Sequence, residues 1–350
     1  MTRPAKAAAG NFFEDFAVGQ EIRHATPRTV TAGDVALYQA LYGSRFVLHS
    51  SDEFARGLGL AATPVDDWLV FHIVFGKTVP DISLNAVANL GYAEGVWGVP
   101  VFPGDTLSAA SEVIGLKANS SGTTGTVYVR TRGANQRGEE VLSYVRWVMV
   151  RKRDAASPAP VVPAPVVPAL ADVVAPSSLD ARHVPGFGHF DDVLAGARAR
   201  WGDYAAGEKI DHVDGMTVEE AEHQLATRLY QNTARVHFNQ VAQKDSRFGR
   251  RLVYGGHVIS LTRALSFNGL EAAVRVVALN GGRHVAPLFA GDTVFAWSEV
   301  LETAALPGRP DAGLLRLRTV ATKDRPCTDH PAPDADGVIL DLDTWVALPR

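Results

Sequence analysis

The chain repeats itself, and that repeat limits what it can fold into more than any other feature. Adding 188 to each number from Phe16 to His49 lays that segment on Tyr204 to His237 without a gap. Ten of the 34 pairs are then identical, among them Gly19/Gly207, Ile22/Ile210, His24/His212, Tyr42/Tyr230 and His49/His237. Unrelated segments would share roughly two, at about 6% identity for average residue usage. A second block matches at an offset of 187, where PVFPGDT (Pro100 to Thr106) meets PLFAGDT (Pro287 to Thr293). Trp147 meets Trp345 at an offset of 198, so the second arm is longer before its last strand. The gene product is a tandem duplication.

Between the arms lies SPAPVVPAPVVPAL, then APSSLDARHVPG. Repeated proline fixes φ and removes backbone donors, which predicts an extended, semi-rigid tether. The reading is a first domain over 10–153, a linker over 154–188 and a second domain over 189–350. A length of 350 residues accommodates two domains. The prolines also break the longest apolar-looking stretch, so no membrane helix is expected there.

Each arm shows the same order of elements. A turn (FAVGQEI, YAAGEKI) comes first, then a helical stretch opened by Thr29 or Thr217. A longer apolar segment follows, Trp68 to Phe75 in one arm and His257 to Leu265 in the other, whose length and period fit one central helix. Strand-like runs complete each arm: TLSAASEVIGL, GTVYVRTRGA and VLSYVRWVMV, then TVFAWSEVLET, GLLRLRTVAT and VILDLDTWVAL. The alternation in VYVRTR and LRLRTV is that of half-buried antiparallel strands. One buried helix and a meander of long strands make an α+β domain.

With these elements in place the chain resembles the MaoC-like dehydratases, whose domain is a hotdog, a curved antiparallel sheet wrapped around a central helix. The residues that carry the resemblance are FxxGxxI near each start, the histidine after the first helical stretch, the glycine before the central helix, and FAGDT. Both arms match, which implies a double hotdog. Within that family the likeness is greatest to the mesaconyl-CoA (2-methylfumaryl-CoA) hydratases, also called β-methylmalyl-CoA dehydratases. It runs from GNFFEDF through FGKTVPDISLNAVANLGYAEG and YGGHVISLTRALSFNGL to LDLDTWVALPR.

The resemblance implies reversible hydration of an α,β-unsaturated CoA thioester. That chemistry needs a base for water, an acid for the α-carbon, and donors for the enolate-like oxygen. In the family Asp and His share the proton work in D-x-N-P-x-H. The second arm reads Asn232, Thr233, Ala234, Arg235, Val236, His237. His237 keeps the catalytic position, while Asn232 can orient but not accept a proton. The competing reading of His237 is a satisfied structural histidine. His49 is its counterpart in the first arm, so two sites are conceivable, and the start of the central helix discriminates. Asp67 and Trp68 stand where the second arm has Gly255 and Gly256. Glycine permits close approach of a thioester to the helix N-terminus, whereas an aspartate would oppose a developing oxyanion. One active site is expected, at His237 with Gly255 and Gly256. Asp66 and Asp67 are candidates for the missing carboxylate, supplied from the other arm.

Arg235 replaces the proline of the family motif and could hold a free acyl carboxylate bidentately. His257 either lines the pocket or merely begins the helix. Lys244, Arg247, Arg250 and Arg251 cluster before that helix and are candidates for the CoA phosphates, although a charge run is more often a solvated face. Arg45 and Lys77 are weaker candidates.

A net charge of −4 argues against an extended nucleic-acid surface. The single cysteine, Cys327, allows no intrachain disulfide and suits a reducing cytosol, and MTRPAKAAAGNFFEDF has no apolar core of signal-peptide length. Absence of GxGxxG, P-loop, CxxC and HExxH motifs indicates neither cofactor nor metal. The expectation is a cytoplasmic hydro-lyase acting on a small acyl-CoA, without nucleic acid or membrane partners, and a homo-oligomer. The alternatives are a general (R)-specific enoyl-CoA hydratase, whose fatty-acyl tunnel would not welcome Arg235, an acyl-CoA thioesterase, and a non-catalytic acyl-CoA-binding protein. A thioesterase would want a carboxylate on the central helix, and Val258 to Leu265 has none.

Overall fold

A computed structural model describes residues 6–159 and 167–350. The middle of the proline-rich tether, 160–166, lies outside the described residues. In the first arm the elements are β1 (Glu21–Thr29), α1 (Ala32–Tyr42), α2 (Asp52–Gly57), α3 (Asp67–Thr78), β2 (Ala86–Trp97), β3 (Thr106–Ala118), β4 (Thr124–Ala134) and β5 (Glu140–Arg151). The second arm has α4 (Asp192–Ala195), β6 (Lys209–Thr217), α5 (Glu220–Leu229), α6 (Arg235–Phe238), α7 (Gln240–Gln243) and α8 (Gly255–Leu265). It closes with β7 (Arg275–His284), β8 (Thr293–Ala305), β9 (Ala312–Lys323) and β10 (Val338–Pro349).

The strands form one antiparallel sheet ordered β1-β3-β4-β5-β2-β7-β10-β9-β8-β6. Each arm supplies five strands, and the arms join where β2 pairs with β7, Tyr92 opposite Gly282 and Val96 opposite Ala278. Every residue of α3 is buried, as expected of a helix that is apolar on all sides and must be enclosed. Each of its fully buried side chains such as Leu69, Phe71 and Ile73 contributes about 1.5–3 kcal/mol. Helix α8 is enclosed likewise, apart from Gly255 and Arg263.

The two central helices lie side by side and antiparallel. Tyr254, just before α8, lies near Phe75 late in α3, with ring centroids 5.7 Å apart, while Trp68 at the start of α3 shares a small void with Arg263 and Ser266 at the end of α8. The start of α8 therefore faces the last turns of α3. Two polar contacts join equivalent positions of the repeat: His72 Nε2 lies 3.0 Å from Ser260 Oγ, and the Tyr42 and Tyr230 hydroxyls lie 2.5 Å apart. Both pairs are 188 residues apart, so the pseudo-twofold axis runs through this polar seam.

The identity His24/His212 is explained by packing in both arms. Each imidazole reaches a serine on the neighbouring strand, Ser111 at 2.8 Å and Ser298 at 2.9 Å. Thr29 and Thr217 do not open helices as the sequence suggests. They end β1 and β6, and their hydroxyls bond Thr106 and Thr293, each at 2.8 Å. The true cap of α1 is Thr31, whose side chain accepts from the Asp34 amide in a capping box. The strand continues two residues further because a cross-strand threonine pair satisfies Thr29.

The described end of the tether does not stand off as a free spacer. The Val174 amide donates to Asn280 Oδ1 at 2.8 Å, and the Trp345 indole donates to the Val174 carbonyl at 3.0 Å. Arg309 binds the carbonyls of Val184 and Pro185, and Phe187 and Phe190 are buried. Apolar residues between the prolines make this segment part of the core, which its proline content alone does not reveal. Among the described residues no helix is long and apolar enough to cross a membrane.

Candidate active site

His237 sits in the single turn α6, and the segment after it folds back towards the start of α8. Its Nδ1 lies 2.9 Å from the Leu252 carbonyl oxygen. A carbonyl can only accept, so Nδ1 carries the proton and Nε2 keeps its lone pair. Nε2 has no hydrogen-bond partner among the described residues. Burial lowers the pKa to about 4, against the smaller opposing effect of the Leu252 bond, and the nearby His223 lowers it further. At neutral pH this is an unprotonated imidazole with one free, basic nitrogen.

Tyr254 connects it to the helix start, its ring centroid 5.3 Å from that of His237. Gly255 and Gly256 follow as the first two residues of α8, which no side chain caps. The first amides of a helix have no intrahelical acceptor, and no other acceptor among the described residues takes these two. Neither glycine could be larger. A methyl on Gly255 would lie 2.4 Å from Nε2 and Cε1 of His284, and one on Gly256 would lie 2.6 Å from His72 Nδ1. The result is a pair of bare N–H groups at the positive end of a helix dipole, close to a basic imidazole.

The equivalent place in the first arm is filled and capped. Asp66 Oδ1 accepts from the Trp68 amide at 2.9 Å, so an internal carboxylate occupies the helix start. Asp67 pairs with Arg275 and accepts from the Val276 amide at 2.8 Å. Trp68 packs edge-on against Trp97, whose indole donates to the Asp67 carbonyl at 2.8 Å. Both ring nitrogens of His49 face carbonyl oxygens, Pro64 at 3.3 Å and Val274 at 3.1 Å, which leaves no approach for water. The suggestion that Asp66 or Asp67 supplies a carboxylate to His237 is corrected by this placement. Both are engaged at the far end of α3, beside His49, because the central helices run antiparallel.

The other candidates are dispersed. Asn232 is buried, and its Oδ1 accepts from the Ala234 amide at 2.9 Å, shaping the turn into α6. Arg235 is exposed and has no carboxylate partner among the described residues. His257 is fully buried, with Nδ1 2.8 Å from the Tyr42 hydroxyl and Nε2 unpartnered. Lys244 is exposed. Arg250 lies over the Phe289 ring at 3.9 Å, Arg247 lies beside Phe248, and Arg251 pairs with Glu220. Among the described residues no three His, Cys, Asp or Glu side chains converge as a metal site.

Three features go beyond the leading sequence candidates, Lys77 being only a weaker one among them. A cleft of about 550 Å³ borders the Asn232 turn, lined by Lys77, Gln224, Arg228, Gln231 and Phe238 among others. Lys77 is buried in its wall with Gln231 Oε1 as partner at 2.5 Å, and burial lowers its pKa to about 8. The third is His284 at the end of β7, whose ring lies against Gly255. Its counterpart, 187 residues earlier at the offset of the second block, is Trp97, and that exchange of tryptophan for histidine was the available signal.

The fold is a double hotdog of the MaoC type, open at the start of the central helix in its second arm and filled there in its first. The match to the family model for mesaconyl-CoA hydratase covers residues 1–330, and the chain belongs to that family. It is 61% identical to the β-methylmalyl-CoA dehydratase of Chloroflexus aurantiacus, over 99% of both chains. It is 62% identical to the mesaconyl-CoA hydratase of Cereibacter sphaeroides, over 99% of this chain and all of that one. A solved MaoC-domain dehydratase from Chloroflexus aurantiacus superposes with a TM-score of 0.95 at 61% identity, covering 99% of each chain. A double-hotdog protein of Mycobacterium tuberculosis superposes at 0.77 with 25% identity, over 97% of this chain and 99% of that one.

Proposed function

We propose that this chain hydrates mesaconyl-C1-CoA (2-methylfumaryl-CoA) to β-methylmalyl-CoA and catalyses the reverse dehydration. The observation that carries the mechanism is a tautomer-fixed, proton-accepting His237 beside two bare amides, in one arm only. The thioester oxygen takes hydrogen bonds from the Gly255 and Gly256 N–H groups, which hold the charge that develops there. His237 Nε2 removes a proton from water as its oxygen bonds to the β-carbon, and the C=C electron pair moves towards the thioester oxygen. The enolate then collapses as the α-carbon takes the same proton from the His237 imidazolium. Water is consumed and the imidazole is returned neutral.

One group serving as base and then acid removes the need for the family aspartate. Asn232 keeps the turn that presents His237, a task its Ala234 bond performs without titrating. The reading includes a cytoplasmic enzyme that needs no cofactor beyond the CoA thioester itself.

The test follows loss of enoyl-thioester absorbance with mesaconyl-C1-CoA and with crotonyl-CoA. His237→Ala should reduce kcat by about 10²–10⁴-fold, the range for a positioned acid–base group. His49→Ala should leave kcat of the folded protein near that of wild type. Preference for crotonyl-CoA would favour a general hydratase, and a dead His49→Ala beside an active His237→Ala would place the chemistry in the other arm.

A further inference from the structure

We infer that His284 is a third donor to the thioester oxygen, a neutral imidazole working beside the Gly255 and Gly256 amides. The inference rests on the hydratase reading above and assigns a residue that the family motif does not contain.

Four observations converge on it. The Nε2–Cε1 tip of the ring lies so close to Gly255 that a methyl there would be 2.4 Å from both atoms. Only hydrogen separates the imidazole from the helix start. The ring is half-buried, and its one partner among the described residues is the Tyr92 hydroxyl, 3.2 Å from Nε2. Burial raises the Tyr92 pKa, so the phenol stays neutral and its oxygen can accept. In the inferred role Nε2 carries the imidazole proton, and a thioester oxygen takes the place of this long Tyr92 contact. The remaining titratable groups around the ring, His237 and His72, are themselves held neutral by burial.

The duplication supplies an internal control. In the first arm the three corresponding positions are Asp67, Trp68 and Trp97, whose side chains fill the space, while the neighbouring Asp66 caps the helix start. In the second arm they are Gly255, Gly256 and His284. All three differ together, and each difference opens space or adds a donor at the same point.

The chemistry favours a neutral imidazole over a charged one. Burial lowers the His284 pKa to about 4, with His237 adding to the effect, and the positive end of α8 acts in the same sense. A neutral imidazole N–H can hydrogen-bond an enolate-like oxygen strongly without surrendering its proton to it. Proton transfer then remains with His237, and no additional acid enters the balance.

The experiment compares wild type, His284→Ala, His284→Gln and His284→Asn in the full chain. Turnover of mesaconyl-C1-CoA gives kcat and KM. The carbonyl stretch of thioester-¹³C-labelled methylsuccinyl-CoA, the saturated analogue, reports polarisation in the bound state by infrared difference. His284→Ala should lose about 10²–10³-fold in kcat, as for removal of one oxyanion donor, with KM within about threefold because ground-state contacts largely remain. Its carbonyl stretch should move back towards the value in solution. Gln, whose amide reaches as far as Nε2, should recover at least about tenfold over Ala. A kcat loss below about threefold, or an unshifted stretch beside a full kcat loss, overturns the inference. Should His284→Ala not fold, the Gln and Asn variants decide, since equal rates for the two would overturn it. Wild type that binds methylsuccinyl-CoA but turns over no enoyl thioester would remove the hydratase reading, and the inference with it.

Discussion

The hydroxyls of Tyr42 and Tyr230 meet at 2.5 Å across the pseudo-twofold axis, and Tyr42 also lies 2.8 Å from His257 Nδ1. One position of the repeat thus bonds its own copy, and the bond ties the ends of α1 and α5 to the start of α8. The site depends on this seam, because the helix that presents Gly255 and Gly256 is anchored through His257.

Tyr42→Phe should therefore cost more than Tyr230→Phe. Removing the Tyr42 hydroxyl strands two buried partners, Tyr230 and His257, and a stranded buried group costs about 1–3 kcal/mol. Urea unfolding of both variants and of the double variant measures this. Equal, near-zero effects would show that the seam contributes nothing.

Asp67 holds the closed first arm together. Asp67→Ala leaves Arg275 buried without its carboxylate partner, and breaking a buried pair on one side costs about 3–5 kcal/mol. Thermal denaturation should show a large loss of stability, with kcat at a temperature where the variant is folded changed little. A collapse of kcat in the folded variant would mean that Asp67 serves chemistry.

Acid should destabilise the protein earlier than its carboxylates alone would predict. His212, His237 and His284 have folded pKa values of about 4, and His257 about 3, all lowered by burial from 6.5. The unfolded chain binds these protons first, so stability is complete above about 6.5 and falls as pH drops towards 4. The urea midpoint against pH checks the window. In the same way kcat/KM should keep its acid limb near 4, where free His237 gains its proton. A limb centred near 6.5 would contradict a desolvated base.

Two cations flank the Asn232 turn, Arg235 on its exposed side and Lys77 in the cleft wall. The β-carbon of mesaconyl-C1-CoA bears a carboxylate, whose charge opposes attack by water unless a cation offsets it. Lys77→Met and Arg235→Met should each raise KM for mesaconyl-C1-CoA more than for crotonyl-CoA. A loss of about 1.5–3 kcal/mol for a charged hydrogen bond corresponds to roughly 10–150-fold. Equal losses on the two substrates would assign both residues to the shared CoA portion.

Much of this architecture is legible in the chain because duplication and periodicity are local properties. The offset of 188, the buried runs of α3 and α8, and the alternation in β4 and β9 reveal two α+β arms, each with one enclosed helix. The substitution of Gly255 and Gly256 for Asp67 and Trp68 already distinguishes the arms. Which identities are structural was not legible. His24/His212 and His49/His237 look alike as pairs, yet only the contacts show the first serving serines in both arms and the second diverging.

Tertiary structure decided what depends on contacts between distant segments. The β2–β7 join, the antiparallel central helices and the docking of Val174 on Trp345 set positions that no local pattern encodes. They carry Asp66 and Asp67 away from His237 and bring His284, from the end of a strand, onto Gly255. The physical reason is range: hydrophobic period and turn chemistry act over a few residues, whereas a site is completed by side chains brought together in packing.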